Sequence, residues 1–258
     1  MGPKSRWLFL FAVLPFSIPN VKMSQAARTA LGGIRILPNT CAGEDLTAAE
    51  NAISDANYLA RAGMKAAASW AQPPFSMFFD PIQWTGHVVY GVLHRVMRAQ
   101  EGGAGIGVTC QDFYGRCNTT AKAIKPAYSV QYSSQEHMPQ IVMCPAGLAL
   151  PRDPEPCTEY PGGITLGWLM VHMMVHLKVV SGSRLIINDT GTSSAREISE
   201  MVLMGQDTIV KASAYAHLGG WSYAVGLGGP RGPPGYRRKA CLENLRKGDR
   251  DAMLASNP

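Results

Sequence analysis

Apolar positions along the 258-residue chain fall into a few long runs with helical spacing, separated by a middle region of short β-prone pieces. Residues 46 to 70 predict a long helix. Thr47 and Glu50 form a Thr-x-x-Glu capping box, Ile53, Ala56, Ala60, Met64 and Ala67 recur at helical spacing, and Pro73-Pro74 stop the run. A second helix is expected over Thr85 to Gln100, with Val88, Val92, Val96 and Ala99 on one face and Gly102-Gly103 ending it. Gly107 to Cys110, Ala127 to Tyr132 and Gln140 to Cys144 read as short strands of a small sheet, and the Pro-rich stretch from Pro145 to Gly163 reads as loop. Ile164 to Val180 is the most apolar internal stretch. Two histidines and a lysine interrupt it, which favours a helix buried at the domain centre over a membrane span. A last helix is expected from Ser194, with Glu197 three residues on, to His217, carrying Ile198, Val202, Gly205, Ile209, Ala212 and Ala216 as one stripe. No internal repeat is visible.

The N-terminus changes the picture. Lys4 and Arg6 precede the apolar run Trp7 to Leu14, and prolines follow: the layout of a secretory signal peptide, too short to span a bilayer as a mature helix. Cleavage at Ser17 or near Ala26 and Ala27 fits, so residues 1–26 are assigned to the signal, 27–225 to one domain and 226–258 to a Gly/Pro-rich basic tail. Six cysteines, Cys41, Cys110, Cys117, Cys144, Cys157 and Cys241, agree with an oxidising compartment. None forms a Cys-x-x-Cys pair, and six cysteines allow fifteen pairings, among which spacing does not choose. Sequons at Asn118 and Asn188 point the same way, to a secreted, extracellular protein. The formal net charge of +6 comes largely from the signal and the tail, so the basic residues read as a solvated tail rather than a nucleic-acid surface. At 46% hydrophobic and 16% charged residues, the chain has the means to bury a core.

One constellation carries candidate chemistry. His172 and His176 stand four apart on the apolar helix, a spacing that turns both imidazoles to one side, as on a metal-binding helix. Two core histidines bonded to backbone or water have the same spacing. His87, His94, His137 and His217 show no spacing that suggests a site. Phosphate loops, nucleophile elbows and dinucleotide turns are absent from the sequence, and Gly102 to Gly107 joins a helix to a strand, the reverse of a dinucleotide turn.

The context of these histidines resembles the deuterolysin (aspzincin) and lysine-specific metallo-endopeptidase family of secreted fungal zinc peptidases. The resemblance rests on an ordered set: Cys41 with Leu46-Thr47-Ala48-Ala49 and an alanine-rich helix, then Cys110-Gln111-Asp112-Phe113-Tyr114-Gly115-Arg116-Cys117. Cys144, Cys157 ahead of the histidine helix, Gly191-Thr192 after it, and Ala214-Tyr215-Ala216 complete it. It implies an α+β, zincin-like fold, mostly helical with a small cysteine-pinned sheet, and the pairings Cys41–Cys110, Cys117–Cys144 and Cys157–Cys241.

The departures bear on chemistry. Where the family has His-Glu-x-x-His, this chain has His172-Met173-Met174-Val175-His176, so Met173 occupies the general-base position with no titratable proton. The family's third ligand, the Asp of Gly-Thr-x-x-Asp, falls on Ala195, and a transition-state tyrosine falls on Ile198. Loss of a general base alone costs about 10²–10⁴-fold. The expectation is a binding or effector protein holding a protein or peptide ligand in the former substrate cleft, with no nucleic-acid partner and no membrane association after signal removal. Zinc retention requires a substitute ligand. Asp189, inside the second sequon, joins His172 and His176 as the candidate set, with Glu197 and Glu200 as further candidates near the Gly191-Thr192 turn. An active endopeptidase with a substitute base and a secreted zinc-capture protein are the two alternatives.

Overall fold

A computed structural model of the chain describes residues 33–100, 105–117, 125–131, 138–152, 164–183, 185, 187 and 193–224, all within one unit, Leu31–Pro258. In chain order the elements are β1 (Ile34–Ile36), α1 (Gly43–Ala68), α2 (Phe75–Phe78), α3 (Gln83–Gln100), β2 (Ile106–Thr109), β3 (Ala127–Val130) and β4 (Gln140–Met143). They continue with α4 (Pro145–Leu148), α5 (Leu166–His176), α6 (Lys178–Ser181), α7 (Ala195–Leu203) and α8 (Ala212–Ala224). The class is α+β as expected: a helical assembly with one small sheet.

The sheet has the order β1-β2-β4-β3, with β1, β2 and β4 parallel and β3 antiparallel at the edge. β2 and β4 are buried at every position, which suits interior parallel strands covered on both faces. The expected strands lie within a residue or two of the three pieces read from the sequence. β1, three residues long, was not anticipated. Two disulfides pin this region: Cys41–Cys110 and Cys117–Cys144, the pairings the resemblance implies. They close loops of 69 and 27 residues, worth about 4 kcal/mol each in the chain-entropy picture. Between them, Asp112 accepts hydrogen bonds from the Arg116 and Cys117 amides (2.9 and 2.8 Å) and from the Tyr128 hydroxyl (2.5 Å). Burial opposes the charged form, but those hydrogen bonds win and hold this carboxylate below its ordinary range. Cys157 and Cys241 lie outside the described residues, as do the signal segment, both sequons, Asp189, His137 and the basic tail.

The helices are organised around α1. Its buried face is made almost wholly of small residues, Ala49, Ala52, Ala56, Ala60, Ala62, Gly63, Ala66 and Ala67, with Leu59 and Asp55 among them. α3, α5 and α8 all pack on it. The approaches are close. A Cβ at Gly167 of α5 would lie 2.8 Å from the Asp55 Cβ, and one at Gly219 of α8 would lie 3.0 Å from the Leu59 carbonyl oxygen. Asp55, though buried, is paired: Arg152 Nε and Nη2 each donate to one of its carboxylate oxygens at 2.9 Å.

Helix boundaries differ from the sequence reading in several places, each with an identifiable cause. α1 begins at Gly43, with Glu44 and Asp45 in its first turn, so Thr47 and Glu50 are not a capping box; the Thr47 hydroxyl donates back to the Gly43 carbonyl at 3.3 Å. The apolar run from Ile164 breaks at Leu177, which is extended, and α5 and α6 are joined across the break by Gln131. Its amide donates to the His176 carbonyl (2.6 Å) and accepts from the Lys178 N–H (2.9 Å). No helix among the described residues is long and apolar enough to cross a membrane. The expected helix from Ser194 to His217 is two helices. Gly205, at φ +69°, terminates α7 in a Schellman arrangement: the Gln206 N–H reaches the Met201 carbonyl and the Gly205 N–H the Val202 carbonyl. The segment then turns under α2, where the Thr208 hydroxyl donates to the Phe78 carbonyl at 2.6 Å, before α8 begins. Within the Pro-rich stretch, Pro145–Leu148 is one short turn of helix, α4.

A Gly167→Ala substitution is expected to destabilise the fold by about 1–3 kcal/mol, because the added methyl meets a side-chain root that has no alternative rotamer. Urea unfolding of the oxidised protein measures this. An exposed-site control such as Ala68→Ser is expected to stay within about 0.5 kcal/mol of the parent.

Candidate functional site

α5 is buried along its length up to Val175, and Thr165 caps it, accepting from the Trp168 N–H at 3.2 Å. That fixes the rotation of the helix and with it the direction of the two histidines one turn apart. His172 is buried, His176 half-buried, and their Nε2 atoms are 3.2 Å apart. Two nitrogens on one tetrahedral zinc would stand about 3.3 Å apart. At this separation the two imidazoles either share one proton or present two lone pairs to a common cation.

The rest of the site is a closed circuit of hydrogen bonds and ring contacts that the spacing of the histidines does not announce. Trp168, one turn before His172, stacks on that ring with centroids 5.0 Å apart and planes 18° apart. Its indole N–H donates to His217 Nδ1 of α8 at 3.1 Å. An indole only donates, so Nδ1 is the bare nitrogen and the His217 proton sits on Nε2, where it is donated to the Ser193 carbonyl at 2.8 Å. The Ser193 N–H in turn donates to the Ser213 hydroxyl at 3.2 Å, and that oxygen lies 3.4 Å from His172 Nδ1. The loop before α7, the helix α8 and the helix α5 are thereby tied to one another through five polar side chains and backbone groups.

Burial lowers the His217 pKa to about 4, against smaller upward pulls from the Ser193 carbonyl and Glu197. His217 is therefore neutral at physiological pH with both ring nitrogens engaged. It is a brace, not a metal ligand. The sequence reading gave it no role. The signal that could have found it is the repeated four-residue spacing: Trp168 with His172 on α5, Ser213 with His217 on α8.

The structure places the other expected site residues as follows. Met173 is buried, at 7% exposure, in the core beside the histidines' helix face. Ala195, in the first turn of α7 next to the Ser193 link, is 5% exposed, and Ile198 is fully buried. Glu197 does not turn toward the histidines. Its carboxylate accepts from the Ser194 N–H at 2.6 Å while the Ser194 hydroxyl accepts from the Glu197 N–H, a reciprocal cap that holds its pKa below the ordinary value. Glu200 pairs with Arg196 on the exposed face of the same helix. Among the described residues no three His, Cys, Asp or Glu side chains are grouped to hold a metal. A catalytic zinc takes three protein ligands and a structural zinc four, so the described residues supply the nitrogen pair and stop short of a complete centre.

The fold is similar to that of a solved structure, the zinc peptidase from Grifola frondosa, at 15% sequence identity and a TM-score of 0.51, covering 69% of this chain and 96% of that one. That likeness establishes a zinc-peptidase-like fold. No family model matches the chain, and no curated protein matches it.

The buried neutral His217 makes stability depend on pH with a definite sign. Its unfolded value is about 6.5 and its folded value about 4. Below pH 6.5 the unfolded chain takes up a proton that the folded one refuses. The contribution is therefore intact above about pH 6.5, is lost as the pH falls toward 4, and levels off below; over that window it amounts to about 3 kcal/mol. Urea midpoints at neutral and acidic pH are expected to show this loss, and His217→Asn, which keeps an acceptor for Trp168 but does not titrate, is expected to flatten it.

Proposed function

We propose that this zinc-peptidase-like chain is a secreted protein that has lost peptidase chemistry and acts by binding a protein or peptide ligand in the former substrate cleft. The observation that carries the reading is the pair of buried apolar side chains, Met173 and Ala195, at the positions where a general base and a third metal ligand are needed. A thioether and a methyl group accept no proton from water and do not hold zinc as carboxylates do. The framework around them, by contrast, is well ordered: the Nε2 pair, the Trp168 stack and the Ser213–Ser193–His217 links are all formed. A fold maintained to this degree around inert positions suits a role in binding. Secretion is supported by the apolar leader, the even cysteine count and the two disulfides.

A second reading, zinc capture without hydrolysis, is favoured by the 3.2 Å separation of the two Nε2 atoms, which suits one edge of a zinc tetrahedron. Asp189, outside the described residues, is its candidate third ligand.

Zinc content of the oxidised protein, secreted from a eukaryotic host and desalted without chelator, separates the readings. The binding reading expects far less than one zinc per chain, no chelator-sensitive cleavage of casein, and a melting temperature indifferent to added zinc. One zinc per chain that disappears in His172→Ala/His176→Ala would establish capture instead. Cleavage lost with the same variant would restore a peptidase.

The pair Met173→Glu/Ala195→Asp tests whether the scaffold is still a metal frame. Two carboxylates introduced into buried positions are expected to destabilise the protein by several kcal/mol. Zinc at about 100 times its dissociation constant is expected to return about 2.7 kcal/mol, read as a rise in melting temperature absent from the parent.

A further inference from the structure

Away from the histidines, the outer seam between α1 and α3 carries a second feature. The two helices run antiparallel and meet closely where Gly63 faces Leu93 and Gly86 faces the Ala67 carbonyl, with Trp70 just beyond the end of α1. Along the same seam lies an open groove of about 460 Å³ lined by Arg61, Met64, Lys65 and Ala68 of α1 and by Tyr90 and Met97 of α3. This volume lies in the range of small-molecule clefts, about 300–1,000 Å³.

The chemistry of the lining is divided. Met64, Ala68 and Met97 form an apolar floor, and thioether chains adapt to a flexible guest. Arg61 and Lys65 stand one turn apart on the α1 wall. Lys65 lies in the last turn of α1, where a cation favours the helix dipole, and with Arg61 it makes one edge of the groove cationic. Arg61 is oriented by Asn57, whose side-chain oxygen accepts from its Nε at 2.9 Å. The opposite wall is aromatic: Tyr90 stacks on His94 with centroids 6.1 Å apart. Further along the same helix, Trp84 is 64% exposed.

We propose that this groove binds a single-chain anionic amphiphile of the fatty-acid class, with its carboxylate against Arg61 and Lys65 and its hydrocarbon on Met64, Ala68 and Met97. A peptide is a poorer occupant. Tyr90 is the one neutral hydrogen-bonding side chain in the lining, so peptide N–H and C=O groups laid on the floor would lose water without gaining partners. A hydrocarbon chain has no such requirement, and a carboxylate head meets two cations at the rim. The groove lies on α1 and α3, neither of which carries a residue of the histidine circuit, so the proposal does not depend on the fate of that centre.

The test is calorimetric titration of the full secreted chain with decanoate below its micellar concentration, alongside decyltrimethylammonium, which has a chain of the same length and the opposite charge. The expected result is one saturable decanoate site, at least about tenfold tighter than the cationic amphiphile. Arg61→Glu/Lys65→Glu should reverse that preference, and Ala68→Trp, an exposed position where the indole fills the groove, should abolish binding of both while the circular dichroism spectrum is unchanged. Absence of saturable decanoate binding to the parent overturns the proposal. So does equal affinity for the two amphiphiles, or decanoate binding that survives both variants. An acidic decapeptide that binds more tightly than decanoate at the same residues would likewise overturn it, in favour of a peptide groove.

Discussion

The architecture depends on the near absence of side chain on one face of α1. Because that face is alanine and glycine, three other helices reach almost to its backbone, and two of them, α5 and α8, are held against each other as a result. Close packing of this kind gains dispersion and excludes water at little cost in side-chain entropy, since alanine has none to lose. It also leaves no tolerance: a single methylene at Gly167 or Gly219 would have to be absorbed by backbone movement. The aromatic rings sit one layer out, where Phe75, Phe79 and Tyr215 and then Phe78, Trp221 and His217 pack edge or face around α8.

The histidine centre inherits its geometry from that contact. His172 and His176 belong to α5, Ser213 and His217 to α8, and the two pairs meet because the helices do. What joins them is polar and fully committed. The indole N–H donates to one imidazole nitrogen, the N–H on the other nitrogen of that ring donates to a carbonyl, and the serine oxygen closes the path. A committed buried network is stabilising, while a half-satisfied one is worse than hydrocarbon. The network passes through neither Met173 nor Ala195, so its satisfaction does not depend on what those two positions carry.

Much of this was legible in the sequence where the signal is local. The α1 and α3 runs, three of the four strands and the reciprocal Ser194–Glu197 cap follow from period and turn chemistry within a few residues. Gly205 was legible too, as a C-terminal glycine, but its position on an apolar stripe disguised it. The break at Leu177 was not, because the residue that stabilises it, Gln131, lies 46 positions earlier, just after β3. The role of His217 was hidden for the same reason: its donor is on α5 and its acceptor precedes α7. β1 is too short to show alternation and is defined by pairing with β2 alone. The bonds Cys41–Cys110 and Cys117–Cys144 came from the family resemblance, since spacing leaves fifteen pairings open.

The bond between Cys41 and Cys110 encloses the whole of α1, α2 and α3 within one covalent ring. Any single backbone cut inside that ring leaves both new ends attached to the same molecule. The three helices that build the α1 contact and the outer groove would therefore remain at high effective concentration after a nick, free to re-pack instead of diffusing apart. In surroundings rich in active proteases, this ring turns one cleavage from a loss of the protein into a repairable opening.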